Sequence, residues 1–393
     1  MDEQPFTGDP LIDGGFETLC AHYGEHRLAH GGATAPPLYQ TSNFVYPDAE
    51  AFERRLLPQS PYYDYTRVGN PTTAMLEAKL ALLEHGHWGR GFASGMGAIT
   101  AAINANVESG THVVAVANCY PPTREYLEQY LQRFGVTTTF VPGTNPADLI
   151  AALRDNTRVL YLESPTFGLN EIIELAPLTA AARQRGIVTI FDNSWATPYF
   201  QQPLDLGCDL VVHSATKYIG GHSDVVAGIV VGRDEELHRG VRREAELHGA
   251  TLDPFAAWLL LRGLRTLALR MEQHQRSGLA IARLLAAHPK VRRVNHPALE
   301  SHPNHAVAQR QLRGYGSLFS FALHEQSREA THRVLNRLRL FRIAVSWGGY
   351  ESLATGGTFF DRDPDRPLWL IRLHVGLETI DDLVHDLRQA LED

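Results

Sequence analysis

The chain has three lysines in 393 residues, and one of them, Lys217, stands where a lysine needs explaining. It lies in "SATKYIGGHSD" (Ser214 to Asp224), directly after "CDLVV", a run with the length and apolar character of a short buried strand. An ammonium at the dry end of such a strand is costly unless it is paired or chemically used. In open α/β sheets, ligands sit beyond the carboxyl ends of the strands. Four strand-like runs here end in chemistry-bearing groups. "HVVAVAN" leads to Cys119 and Tyr120, "RVLYLES" ends at Glu163 and Ser164, "IVTIF" runs into Asp192 and Asn193, and "CDLVV" runs into Ser214, Thr216 and Lys217. A fifth stretch, "ASGMGAIT", offers the backbone N–H groups of Gly95 and Met96 at the start of a helix, an anion site by geometry. The set comprises an amine, a carboxylate, an aromatic face and a phosphate-sized cradle with two hydroxyls. It suits a flat, phosphorylated, nitrogen-containing ring held covalently by the amine.

Pyridoxal 5'-phosphate fits each part. Lys217 forms the Schiff base, so it is no longer a stranded charge. Asp192 keeps the pyridine nitrogen protonated, Tyr120 stacks on the ring, and Ser214, Thr216, Gly95 and Met96 hold the phosphate. Competing motifs fall away. His222, Ser223 and Asp224 are consecutive, whereas members of a hydrolytic triad converge from separate elements. "SGMGAIT" lacks the third glycine of a dinucleotide fingerprint, and no Gly-Lys-Ser/Thr follows a glycine loop. Nineteen histidines include no HExxH, and no metal is assigned.

The elements that must position these groups follow from the pattern. Short β-rich runs alternate with helical segments from about residue 61, which indicates βαβ units and a mostly parallel sheet. After "AGIVVGRDEEL" a long helical stretch leads into a smaller α+β unit. The expected organisation is an extended N-terminal arm (1–60), a cofactor-binding α/β domain (61–253) and a C-terminal α+β domain (254–393). A formal charge of −8 with no basic cluster argues against nucleic acid or an anionic membrane as partner. The longest apolar stretch, "AAWLLLRGL", is too short to span a bilayer, and the acidic start "MDEQPFTGDP" is unlike a signal peptide. Three scattered cysteines suggest a reducing compartment, and the expected location is the cytoplasm.

"YTRVGNPT", "SGMGAI", "DNSWATPYF", "SATKYIGGHSD" and "IRLHVGLE" occur in that order and resemble the transsulfuration family of pyridoxal-phosphate enzymes. The likeness runs from "PPLYQTSNF" nearly to the end. It implies a type I aminotransferase-like α/β fold, with a large, mostly parallel-sheet domain and a smaller C-terminal domain. It gives Lys217, Asp192 and Tyr120 the roles stated above. It further implies that Arg372 clamps the substrate α-carboxylate in a bidentate fork. Tyr65 and Arg67 would reach the phosphate of a neighbouring subunit in a homotetramer built from dimers. "SWGGYESL" with Ser346 and Trp347 at the substrate, "YPPT", and Trp195 in "DNSWA" look most like bacterial cystathionine β-lyases. The implied reaction is β-elimination of L-cystathionine to homocysteine, pyruvate and ammonia. "YTRVGNPT" resembles the γ-acting members, which leaves open a cystathionine γ-synthase, homoserine sulfhydrylase, or methionine or cystathionine γ-lyase. A broad cysteine-S-conjugate β-lyase is a further alternative.

Overall fold

A computed structural model describes residues 13–359, except 56, 58 and 59, and residues 368–392. Seven strands build the larger sheet: β1 (Trp88–Phe92), β2 (His112–Val116), β3 (Thr137–Val141), β4 (Thr157–Glu163), β5 (Val188–Asp192), β6 (Leu210–His213) and β7 (Gly228–Gly232). Their spatial order is β1-β7-β6-β5-β4-β2-β3. From β6 to β3 every pairing is parallel, while β7 runs antiparallel to both β1 and β6. The central strands are buried on both faces, which explains why "VLYL" and "LVV" read as continuous apolar runs without alternation.

A second sheet has the order β10-β11-β12-β9-β8, from β8 (Val291–Asn295), β9 (Leu318–Leu323), β10 (Arg342–Ile343), β11 (Leu353–Phe359) and β12 (Leu368–His374). It packs its own apolar cluster, including Phe319, Phe321, Leu373 and Leu387. The long helical stretch is two helices, Pro254–Leu264 and Leu267–Ala286. The first is capped by Asp253, whose carboxylate accepts from Phe255 N and Ala256 N. "TREYLEQYLQRFG" is not one regular helix. A helical turn at Pro121–Glu125 widens into a π turn at Tyr126–Tyr130, then tightens into a 3₁₀ turn, Leu131–Phe134, that ends at Gly135.

The stretch expected to be an extended arm has described parts that pack. Phe16–His22 is helical, Cys20 is buried, and the carboxylate of Glu25 meets Lys79 Nζ at 2.9 Å and Arg265 at 3.0 Å. Residues 1–12, 56, 58 and 59 of that stretch lie outside the described residues. Because β2, β4, β5 and β6 are parallel neighbours, their carboxyl ends lie along one edge of the larger sheet. That shared edge is what gathers side chains from four distant parts of the chain.

Candidate active site

Along this edge a cavity of about 550 Å³ is lined by Gly95, Met96, Tyr120, Asp192, Ser214, Thr216, Lys217, Ser346, Trp347 and Arg372, ten of the twelve expected residues. Tyr65 and Arg67 are not among its walls. They line a separate depression with Gln40 to Ser42 and Thr251 to Pro254. Tyr65 is half exposed, and Arg67 donates to the carbonyl of Glu246 at 2.5 Å.

Lys217 lies in the turn after β6. Its Nζ donates to Ser346 Oγ at 2.6 Å and stands 5.6 Å from the centre of the Trp347 ring. Burial and the nearby Arg372 charge lower its pKa to about 8, against the opposing pull of Asp192. The loop carrying Ser346 and Trp347 lies directly on the Lys217 backbone: a Cβ at Gly348, whose φ is +89°, would fall 2.9 Å from Lys217 Cα. Ser346 itself has φ 75°, a left-handed conformation for a non-glycine residue facing the cavity. Its carbonyl accepts from Arg372 Nη2 at 3.1 Å, so one strained residue touches both cations of the site.

Asp192 ends β5, where Ser194 N donates to its Oδ1 at 2.9 Å. Burial raises its pKa, while the Ser194 hydrogen bonds and the charges of His213 and Lys217 oppose that rise. The half-buried carboxylate therefore lacks a full counter-charge and would accommodate a cationic ring nitrogen. The phosphate cradle is equally specific. Ser94 caps the helix Gly95–Asn104, accepting from Gly97 N at 3.0 Å, and the first N–H groups of a helix have no intrahelical acceptor. A Cβ on Gly95 would meet Ser214 Cβ and Oγ at 2.9 Å, so the two sides of the cradle touch and only glycine fits. Thr216 Oγ1 accepts from Ala227 N at 2.9 Å and donates to Ala227 O at 3.2 Å, so its proton must turn to reach an anion. Arg372, on β12, keeps a buried Nε without any acceptor, which makes its guanidinium fit for a carboxylate ligand. These observations fit pyridoxal phosphate with an amino acid beside it.

Some residues carried no sequence-level role. Glu163 ends β4, lines the cavity and accepts from Tyr120 N at 2.7 Å. Phe167 adds an aromatic wall whose centroid is 6.4 Å from that of Tyr120. His374 Nε2 meets Gly348 N at 3.1 Å, behind the Ser346 loop. Glu163 had a signal, its place at the end of a buried strand. Phe167 and His374 had none, because their neighbours are remote in sequence.

Two of the stretches read as β-lyase marks have structural explanations. Trp195 is buried, lines the cavity and donates its indole N–H to Leu318 O at 2.8 Å, so it also ties the two sheets together. Pro121 and Pro122 occupy the first helical positions after Tyr120, where a missing N–H costs nothing.

Residues 17–392 match the family described as Cys/Met metabolism PLP-dependent enzyme. The L-methionine gamma-lyase of Fusobacterium nucleatum subsp. nucleatum is 40% identical over 390 residues, covering 96% of this chain and 98% of that protein. The cystathionine gamma-lyase of Bacillus subtilis is also 40% identical, over 385 residues, covering 96% and 99%. The crystal structure of metB from Corynebacterium glutamicum superposes with a TM-score of 0.90 at 33% identity, over 97% of this chain and 98% of that one. The names of the two enzymes are γ-acting, so the relatives favour the γ-acting alternative over the cystathionine β-lyase reading. The chain belongs to the Cys/Met metabolism PLP-dependent enzyme family, a group of α/β enzymes that use pyridoxal phosphate, and it shares their fold.

Proposed function

We propose that this protein is a γ-lyase for a sulfur amino acid with a short uncharged side chain, of the methionine type. It would yield 2-oxobutyrate, ammonia and a thiol. One observation carries the choice of substrate. Among the described residues, the ionisable carboxyl, amine and guanidinium groups lining the cavity are Lys217, Arg372, Asp192 and Glu163, and the rest of the wall is largely apolar, with Ile99, Phe167, Val226, Val345 and Trp347. Arg372 is used by the α-carboxylate, so among the described lining residues no further cation is left for the distal carboxylate of cystathionine. A thioether needs none.

Bound pyridoxal phosphate supplies the electron sink for loss of protons at carbon and breakage of the Cγ–S bond. The protein's own groups do the rest. Arg372 fixes the α-carboxylate and with it the direction of the Cα–H bond. Lys217, the covalent anchor in the resting enzyme, has a pKa of about 8 and moves the proton at Cα once released. Tyr120, on the cavity wall, would cover the ring and is the second candidate for proton transfer. Asp192 would provide the anion for the ring nitrogen, Ser214, Thr216, Gly95 and Met96 would hold the phosphate, and Ser346 and Trp347 would bound the substrate side. Tyr65 and Arg67 act in a neighbouring copy within a homotetramer in the cytoplasm.

Purified enzyme supplied with methionine, cystathionine and an S-alkylcysteine in parallel tests the reading. Leaving one buried polar group unpaired costs about 1–3 kcal/mol, and a charged headgroup costs more. Methionine is therefore expected to exceed cystathionine in kcat/KM by about tenfold or more. Pyruvate from cystathionine, with no 2-oxobutyrate from methionine, refutes the γ-lyase proposal and restores β-elimination.

A further inference from the structure

Glu163 and Asp192 are register partners on the parallel strands β4 and β5, the last residue of each. Side chains paired in this way leave the same face of a sheet, and adjacent strands lie about 4.8 Å apart. Both carboxyl groups line the cavity. Both residues are half-buried at the cavity wall, and two like carboxylates on neighbouring strand ends resist ionising together, which favours one of them keeping its proton.

The surroundings decide which. Asp192 receives hydrogen bonds from Ser194 and faces the charges of His213 and Lys217. Glu163 receives one backbone bond, from Tyr120 N, and forms no ion pair among the described residues. Burial first, and the Asp192 charge second, push its pKa well above the usual carboxylate range. The other titratable neighbours do not change the balance. The Cys119 thiol and Tyr161 phenol are buried and pushed up, hence neutral at pH 7. The Arg124 guanidinium is engaged by Ala117 O at 3.0 Å and by Glu128 at 3.4 Å, and Arg372 donates to Ser346 O and forms no ion pair with Glu163 among the described residues.

We propose that Glu163 is a positioning residue that works as a neutral carboxylic acid, pinning the main chain of Tyr120 and leaving Asp192 as the only anion facing the ring. This rests on Asp192 being the partner of the ring nitrogen. Its consequence for the reaction is a division of labour between two carboxyls that start alike. One strand end holds the charge that keeps the ring electron-poor. The adjacent strand end supplies shape and a hydrogen bond, without a second charge that would compete for the ring's proton.

The test uses the holoenzyme. E163Q keeps the shape, neutrality and acceptor of the acid, so kcat/KM is expected within about threefold of the parent, with the same pH profile and the same cofactor absorption maximum. E163L removes the bond to Tyr120 N. It is expected to lower kcat at least about tenfold and to move the absorption maximum, with the thermal melt reporting that the protein remains folded. Infrared difference spectra at pH 7 are expected to contain a protonated-carboxyl C=O band that E163Q removes and D192N keeps. If E163Q loses a hundredfold in kcat/KM, or shifts the acidic limb of the profile, Glu163 acts as an anion and the proposal is overturned. Absence of the carboxyl band also overturns it, and so does an E163L enzyme with unchanged spectrum and turnover. D192N is the separate control: if it retains cofactor and full turnover, the assignment of Asp192 has failed instead.

Discussion

Replacing Ser346 by alanine tests the link between a strained backbone and the reactive amine. The Ser346 hydroxyl is a close acceptor for Lys217 Nζ at 2.6 Å, in a pocket where burial and Arg372 already lower the amine's pKa to about 8. A hydrogen bond to a charged group contributes about 1.5–3 kcal/mol. At 1.36 kcal/mol per pH unit, losing it destabilises the ammonium by about one to two units, so the pKa falls further. The assay is the rate at which apoprotein takes up pyridoxal phosphate as pH is varied, because only the neutral amine reacts. In the parent that rate should rise through a midpoint near 8; in S346A the midpoint should move down by about one unit or more. S346G separates the two features of this residue. It loses the same hydroxyl, so the midpoint falls equally, but glycine accepts φ 75° without the steric cost, about 1–2 kcal/mol, that a side chain bears there. A midpoint that stays at the parental value in both variants, or rises, would refute the reasoning, since the hydroxyl would then not be holding the ammonium.

Two further outcomes follow. R372K keeps the charge but loses the planar fork and the contact with Ser346 O; kcat/KM for the amino-acid substrate should fall about ten- to a hundredfold, and steady-state kinetics within twofold of the parent would remove Arg372 from carboxylate binding. If Arg67 serves a neighbouring copy, inactive R67A and K217A proteins should regain part of the parental turnover when dissociated and reassembled together, and mixtures that stay inactive would argue for self-contained sites.

The cofactor class was legible before any fold was known, because an amine, a carboxylate and a glycine-rich helix start each stand at a strand end or helix start, and the fold brings those residues to one cavity. Lys217, Asp192 and Gly95 could be picked out because each sits at such a boundary, where hydrophobic periodicity stops. The subfamily was less legible. Trp195 and the two prolines after Tyr120 resemble β-lyase stretches, yet Trp195 ties two sheets together as well as lining the cavity, and the prolines start a helix. Residue identity at such positions reports packing as readily as reaction type.

Local sequence determined the strands, the helix start at Gly95 and the turn that carries Lys217, since each depends on neighbours within a few residues. Only the tertiary structure decided which distant groups meet. The pairing of β4 with β5 sets Glu163 beside Asp192, the return of the second sheet brings Ser346 and Arg372 to Lys217, and Tyr65 and Arg67 are left at a different surface. The physical reason is that register and sheet order are settled by burial of whole strand faces, a sum over many residues that no single stretch of the chain contains.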